Sequence, residues 1–447
     1  MQLHVRAALA AVFLAAAFPA AAQTAGAAPG GAAQAGPAPV SAAPAPPAPA
    51  QPPVVQSADE ALAQDAAEYA RLEGVGLDEA MRRLRAQEES VAETDRIQLL
   101  YQDRLAGIAI EHHPDYRIVV LLTGRKKVKD REIVAGGMRV PIVFRTGARA
   151  SRAEILAALE AHAEEIRASL PRSMGMGVDP RRGEFVLNVR ASDADRIGVE
   201  LIQQRLEETL KVPARVRVVE REGNASIEGG ARVEGVEPSS GRRNFCTTGF
   251  VVTDGVRTGI VTAAHCPDTL TYRDAAGADI PLEFGGQWGW SFRDVQLHVS
   301  EAAQSPSFYA DSKKTAVRTL TGARGRASTR AGDVVCHRGE RSGYSCAEVE
   351  LVDYAPPGAL CGGPCAPSWV TVAGPTCGGG DSGGPVFRGT TAFGIVKGAS
   401  YDKSGRCNFY YYMSTDYLPD GWSLLTANGP VSTARAEELA VLNAAGS

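Results

Sequence analysis

The run Cys377-Gly378-Gly379-Gly380-Asp381-Ser382-Gly383-Gly384-Pro385 surrounds a serine hydroxyl with residues of little bulk. An extended backbone could approach Ser382 closely there, and the amides of Gly380 and Ser382 could point at one spot. Cleaving a peptide bond through a serine needs four parts: an attacking hydroxyl, a base for its proton, an acid that orients the base, and N–H donors for the developing oxyanion. Ser382 is the candidate nucleophile, and the amides of Gly380 and Ser382 are the candidate oxyanion hole. The competing reading is a glycine-rich turn with an incidental serine, since turns favour both residue types.

The candidate base is His265. It closes Ile260-Val261-Thr262-Ala263-Ala264-His265-Cys266, an apolar strand ending in a polar tip beside a cysteine. His298 lies within a strand pattern and reads as a packing residue. The candidate acid is Asp294, which opens the alternating run Val295-Gln296-Leu297-His298-Val299. Asp268, Asp274 and Asp279 lie in a polar loop and read as solvated.

These residues need a rigid frame, and the region from about Ala225 supplies the pattern of one. Helical periodicity nearly vanishes there. Short β-branched runs such as Gly249 to Thr253, Gly259 to Ala263, Trp369 to Ala373 and Ala392 to Lys397 alternate with glycine-rich turns. That pattern predicts a β-sandwich or β-barrel. Upstream, residues 57–223 predict helices over Ala61 to Leu84 (broken near Gly74 to Gly76), Ser151 to Ser169 and Asp193 to Leu210. Strands are predicted at Arg117 to Thr123, Pro141 to Thr146, Glu184 to Val189 and Arg215 to Val219. The expectation is an α/β or α+β unit. Residues 23–56, rich in Ala, Pro, Gly and Gln, read as a linker with nothing to build a core. Residues 427–447 read as a tail.

At the N-terminus, Arg6 precedes the apolar stretch Ala7 to Ala17, and Ala20-Ala21-Ala22 offers small residues for cleavage before Gln23. This is the pattern of a secretory signal over residues 1–22, and the apolar stretch is short for a membrane span. All eight cysteines lie at or after Cys246, which suits a disulfide-bearing domain in an oxidising compartment. Zinc is the rival use of cysteine, but the one close pair, Cys361 and Cys365, lacks a second pair at finger spacing. The net charge of -4 argues neither for nucleic acid nor for an acidic membrane surface as partner, and neither is expected.

With these motifs in place, the region from about Ala225 to Leu425 resembles the bacterial chymotrypsin-like proteases typified by α-lytic protease and the streptogrisins. The order His265, Asp294, Ser382 is the chymotrypsin order. Ala225-Ser226-Ile227-Glu228-Gly229-Gly230 is similar to the family's mature N-terminus, and Cys246-Thr-Thr-Gly-Phe-Val-Val to its first core strand. Cys336-His-Arg-Gly-Glu-Arg-Ser-Gly-Tyr-Ser-Cys346 matches a characteristic disulfide loop. The resemblance implies a mainly β fold of two barrels of about six strands each, with the triad in the cleft between them. It implies the pairings Cys246–Cys266, Cys336–Cys346 and Cys377–Cys407, and leaves Cys361 with Cys365 as an extra small loop. It also implies that residues 57–223 are a pro-region, a folding catalyst and inhibitor of the protease domain at 224–426.

Two places depart from the family pattern. Lys397-Gly398-Ala399 stands where the family has Ser-Gly-Gly, the segment that pairs with substrate backbone and whose serine supports the aspartate. The lysine could point to solvent, reach Asp294 or narrow the primary pocket. His337 stands where an arginine pairs with the aspartate before the nucleophile, and Arg338 is the available substitute for pairing Asp381. Pro375 and Thr376 precede Cys377 with no acid to receive Lys or Arg, so a small or medium apolar residue is the expected preference, with an acidic one as the alternative if Lys397 faces inward. The expected activity is a secreted, monomeric serine endopeptidase made as a self-processing zymogen, with protein or peptide substrates, its own pro-region as partner, and no metal or organic cofactor. The alternatives are an inactive protease-like binding protein and an esterase using the same triad.

Overall fold

The structure is a computed structural model. It describes residues 53–169, 173–219, 221–224, 232–236, 243–273, 279–300, 303–374 and 376–434. The signal, most of the linker, the stretch 225–231, Pro375 and the tail beyond Ala434 lie outside the described residues.

The end of the predicted linker is a strand, β1 (Val54–Gln56). Ser57 then starts α1 (Ala58–Glu73) with a capping box. Its hydroxyl accepts from the Glu60 amide while the Glu60 carboxylate accepts from the Ser57 amide. Gly74, left-handed at φ 65°, stops the helix. After α2 (Leu77–Glu89) and α3 (Val91–Leu100) comes a small sheet of β2 (Leu105–Glu111), β3 (Arg117–Thr123), β4 (Arg131–Ala135) and β5 (Met138–Ala148), in the order β2-β3-β5-β4. Ser151 and Glu154 form a second capping box at the start of α4 (Arg152–Ser169). Then follow β6 (Ser173–Asp179), β7 (Glu184–Arg190), α5 (Ala191–Ile197), α6 (Val199–Leu210), β8 (Ala214–Val219) and β9 (Arg221–Asn224). The single helix expected over Asp193 to Leu210 is two, because Gly198 at φ 92° breaks it.

The remainder is β, as expected. The first sheet holds β10 (Arg232–Val236), β11 (Arg243–Thr247), β12 (Val251–Thr253), β13 (Thr258–Thr262), β14 (Leu270–Arg273), β15 (Asp279–Trp288) and β16 (Val295–Ser300). Two short strands, β17 (Ser307–Tyr309) and β18 (Ala316–Thr319), cross over, and β18 pairs in parallel with β1. After β19 (Gly322–Ala323), the second sheet is built from β20 (Val334–Gly339), β21 (Gly343–Ala355), β22 (Trp369–Ala373), β23 (Pro385–Arg388), β24 (Thr391–Tyr401) and β25 (Cys407–Ser414). Finally β26 (Ser423–Thr426) returns to β12, and β27 (Gly429–Val431) pairs with β26. The predicted tail therefore begins as a strand, not as a free end.

The path β20-β23-β24-β25-β22-β21 closes on itself through the β20–β21 pairing, giving a six-stranded barrel. The first sheet differs from the expected closed barrel: among the described residues no pairing joins β11 to β12, and it remains a half-barrel. The chain leaving β11 bonds the other barrel instead, with the Thr247 amide donating to the Ser382 carbonyl at 2.7 Å. The molecule is thus mainly β, with one closed six-stranded barrel and one half-barrel, preceded by a region of helices and strands.

The N-terminal region is not a separate ball. β6 pairs with the far end of β21, so β6, β7 and β8 extend the second barrel's sheet to eleven strands. One apolar core runs through both parts, from Tyr69, Leu84 and Ile155 to Phe250, Phe308 and Phe387. Asp65 of α1 and Arg318 of β18, both fully buried, meet at 2.9 Å.

Candidate active site

Three strand ends converge between the barrels. β13 stops at Thr262, and the chain turns so that the Cys266 amide donates to the Ala263 carbonyl, with His265 at the tip. The Cys246–Cys266 disulfide anchors that turn to β11. Asp294 sits immediately before β16. Ser382 lies on the loop between β22 and β23. Thr247 Oγ1 donates to the Gly380 carbonyl at 3.1 Å, and the Gly383 amide donates to the Val396 carbonyl at 2.7 Å. Gly383 has φ 83°, and a Cβ there would come within 2.2 Å of Thr262 Oγ1 and 2.3 Å of the Thr247 carbonyl. No side chain fits, and this close approach brings the serine loop against the histidine strand.

The three predicted side chains meet. His265 Nδ1 lies 2.8 Å from Asp294 Oδ2, and His265 Nε2 lies 2.7 Å from Ser382 Oγ. The His265 amide also donates to Asp294 Oδ1 at 3.2 Å, so both carboxylate oxygens bond His265. Burial alone would raise the Asp294 carboxyl, but His265 and then Lys397 outweigh it and hold it down to about 2. An ionised carboxylate only accepts, so Nδ1 carries the proton and Nε2 is left to accept from Ser382. A hydroxyl so placed can lose its proton to the ring as it attacks.

The lysine resolves its open alternatives. Lys397 is buried, with Nζ 3.2 Å from Asp294 Oδ2 and 5.2 Å from the centre of the Trp369 ring. Gly398 and Ala399 face a different partner: they pair antiparallel with Asn224 and Gly223 of β9. The edge expected to receive substrate backbone thus carries a strand of the same chain. Thr376 donates to Ser345 Oγ at 2.7 Å.

Asp381 is secured by Ser342 and by the Gly378 amide. Ser342 Oγ donates to it at 2.7 Å, and the amides of Gly378 and Ser342 donate at 2.7 and 3.1 Å. Arg338 turns instead to Glu340, at 2.8 Å. His337 is buried, 2.9 Å from Ser342 Oγ and against the Tyr410 ring; burial lowers its basicity, with Asp381 opposing. Ser342 is thus the residue that sequence reasoning missed. It lay inside the quoted disulfide loop, but only the hairpin geometry turns it toward Asp381. Cysteine pairing follows the expectation: Cys246–Cys266, Cys336–Cys346, Cys361–Cys365 and Cys377–Cys407.

No family model matches the chain. Streptogrisin-C of Streptomyces griseus is 25% identical over 192 residues, covering 42% of this chain and 40% of that protein. The match therefore spans less than half the length of that relative. Among solved structures, a glutamic acid specific serine protease is 22% identical with a TM-score of 0.34, covering 42% of this chain and 93% of its own. Cellulomonas bogoriensis chymotrypsin is 18% identical with a TM-score of 0.34, covering 45% of this chain and 99% of its own. At low identity, the chain is similar to bacterial serine proteases.

Proposed function

We propose that the chain is a secreted serine endopeptidase, made as a precursor that cuts itself. Ser382 attacks the peptide carbonyl, His265 Nε2 takes its proton, and Asp294 orients the ring and stabilises the imidazolium. The amides of Gly380 and Ser382 receive the oxyanion, and an acyl-enzyme on Ser382 is then hydrolysed. The observation that carries this reading is the hydrogen-bonded series Asp294–His265–Ser382, with 2.8 and 2.7 Å links.

A second observation supports the precursor. β9 ends at Asn224 while lying along Gly398 to Tyr401 in antiparallel register. A strand added to that edge uses main-chain hydrogen bonds, as an extended peptide substrate would. Residues 57–223 would then act as pro-region and inhibitor, with the cut just beyond β9. Residues 1–22 would direct export.

The test is an organophosphonate probe on the matured secreted protein. The reading expects one label, on Ser382, and an Ser382→Ala precursor that stays uncut. The variant should lose peptidase activity by about five to six orders of magnitude. An unlabelled wild-type protein, or an Ser382→Ala precursor that still matures, would refute it.

A further inference from the structure

The residue behind Asp294 is the most unusual chemical feature of the site. In β24 the register with β25 slips between Val396 and Gly398: Val396 faces Tyr412 and Gly398 faces Tyr411. Lys397 is the extra residue of this bulge. Bulges re-aim a side chain, and they are frequent next to active sites. Here the bulge turns the lysine inward, where its Nζ finds Asp294 Oδ2 at 3.2 Å and the Trp369 face at 5.2 Å. The same strand holds the nucleophile loop, since the Val396 amide donates to Gly384 and its carbonyl accepts from Gly383.

We propose that Lys397 is a positioning residue for Asp294 whose charge, shared with His265 on one carboxylate, lets the site work at lower pH than it would with a neutral donor behind the aspartate. This inference rests on the protease reading above. Its physical content is a sharing of charge, which burial of Lys397 works against and the contact with Asp294 supports. Asp294 Oδ2 bonds both His265 Nδ1 and Lys397 Nζ. When His265 takes up a proton, one carboxylate must serve two cations. The second cation competes for that carboxylate, so uptake of a proton by the site is disfavoured and activity persists to lower pH.

The surroundings leave few other charges to act. Arg293, next to Asp294, is turned to Asp420 at 2.6 Å. From β22 the neighbour is the Trp369 ring, and from β25 Tyr411 stands edge-on to that ring at 6.5 Å. On the far side of His265 the neighbour is the Ser382 hydroxyl. Asp381, on the nucleophile loop, and His337, on β20, are both bonded by Ser342.

The experiment compares pH profiles of phosphonate labelling and of kcat/KM for matured wild type, Lys397→Ser and Lys397→Arg. Lys397→Ser keeps a hydrogen bond to Asp294 but removes the charge. Its acid limb should move up by roughly one pH unit. Lys397→Arg keeps the charge, so its limb should stay within about 0.3 units of wild type even if its rate falls. If Lys397→Ser does not mature, Lys397→Gln replaces it with the same expectation. A limb unmoved in the neutral variants, or moved equally in Lys397→Arg, overturns the inference. Neither result touches the protease reading, which fails if wild type takes no label at Ser382 or if the Ser382→Ala precursor still matures.

Discussion

Replacing Asp65 should weaken the barrels, although Asp65 belongs to the first helix. Its carboxylate is fully buried and accepts from Arg318 Nη1, from Tyr344 Oη at 2.7 Å and from the Gly389 amide at 2.5 Å. Arg318 is equally buried; its Nε donates to Gln56 and its Nη1 to the Gly389 carbonyl. Asp65→Leu would leave that guanidinium in the core without its counter-ion. Breaking one side of a buried ion pair costs about 3–5 kcal/mol, against about 0–1 for an exposed pair. The four tryptophans, Trp288, Trp290, Trp369 and Trp422, all lie downstream of β9. Tryptophan fluorescence during denaturant unfolding therefore reads the barrels and not the helices. In an Ser382→Ala precursor, which stays in one piece on our reading, Asp65→Leu should lower the stability read by tryptophan by about 3 kcal/mol or more. The double variant Asp65→Leu, Arg318→Leu should recover most of the loss, because no buried charge is then stranded. A change below about 1 kcal/mol in the single variant would refute the coupling of helix and barrels.

Two further outcomes follow from buried groups. Burial lowers His298 to about 4, with a hydrogen bond to the Leu282 backbone opposing. The unfolded chain therefore takes up this proton first, and roughly 3 kcal/mol of stability present at neutral pH should be lost as pH falls from about 6.5 to about 4. Calorimetry against pH should show a shallower acid slope in His298→Phe; an equal slope would contradict the assignment. At Gly339, a Cβ would lie 1.9 Å from Asp381 Oδ1. Gly339→Ala should push the Asp381 turn aside and slow phosphonate labelling of Ser382 by at least about tenfold, at a stability cost of about 1–3 kcal/mol. Unchanged labelling would show that this turn does not hold the serine.

The site residues were legible because each sits in a short motif at a strand end, where neighbours in sequence are neighbours in space. His265, Asp294 and Ser382 each close or open such a run, and the structure brings their side chains together. Lys397 was legible as a departure but not as a contact, since its aim depends on a register slip between two strands. The strand Asp279–Trp288 was missed because Pro281, Gly285 and Gly286 look like loop chemistry, and its exposed face breaks the apolar pattern. Cys407–Ser414 was missed for the opposite reason: Phe409, Tyr410, Tyr411 and Tyr412 are all buried, so no alternation marks a strand. The half-barrel could not be foreseen, because closure is settled by where the Thr247 amide bonds, over a hundred residues away along the chain.

The junction of β6 with β21 bears on solubility. Asp353 to Ala355 face Val178, Gly177 and Met176 there, so their outward backbone groups are satisfied by the N-terminal region. Were that region to leave, a ledge of strand would open on the barrel, ready to join any extended chain that met it. The ledge is only three residues long in register, and it begins with a charge. Asp353 is gripped from both sides, by Arg152 upstream and by Arg326 within the barrel portion. Losing the first grip still leaves the second, so the carboxylate stays in place beside the opened rim. Short length and a fixed charge are what keep a bare sheet margin from stacking on copies of itself.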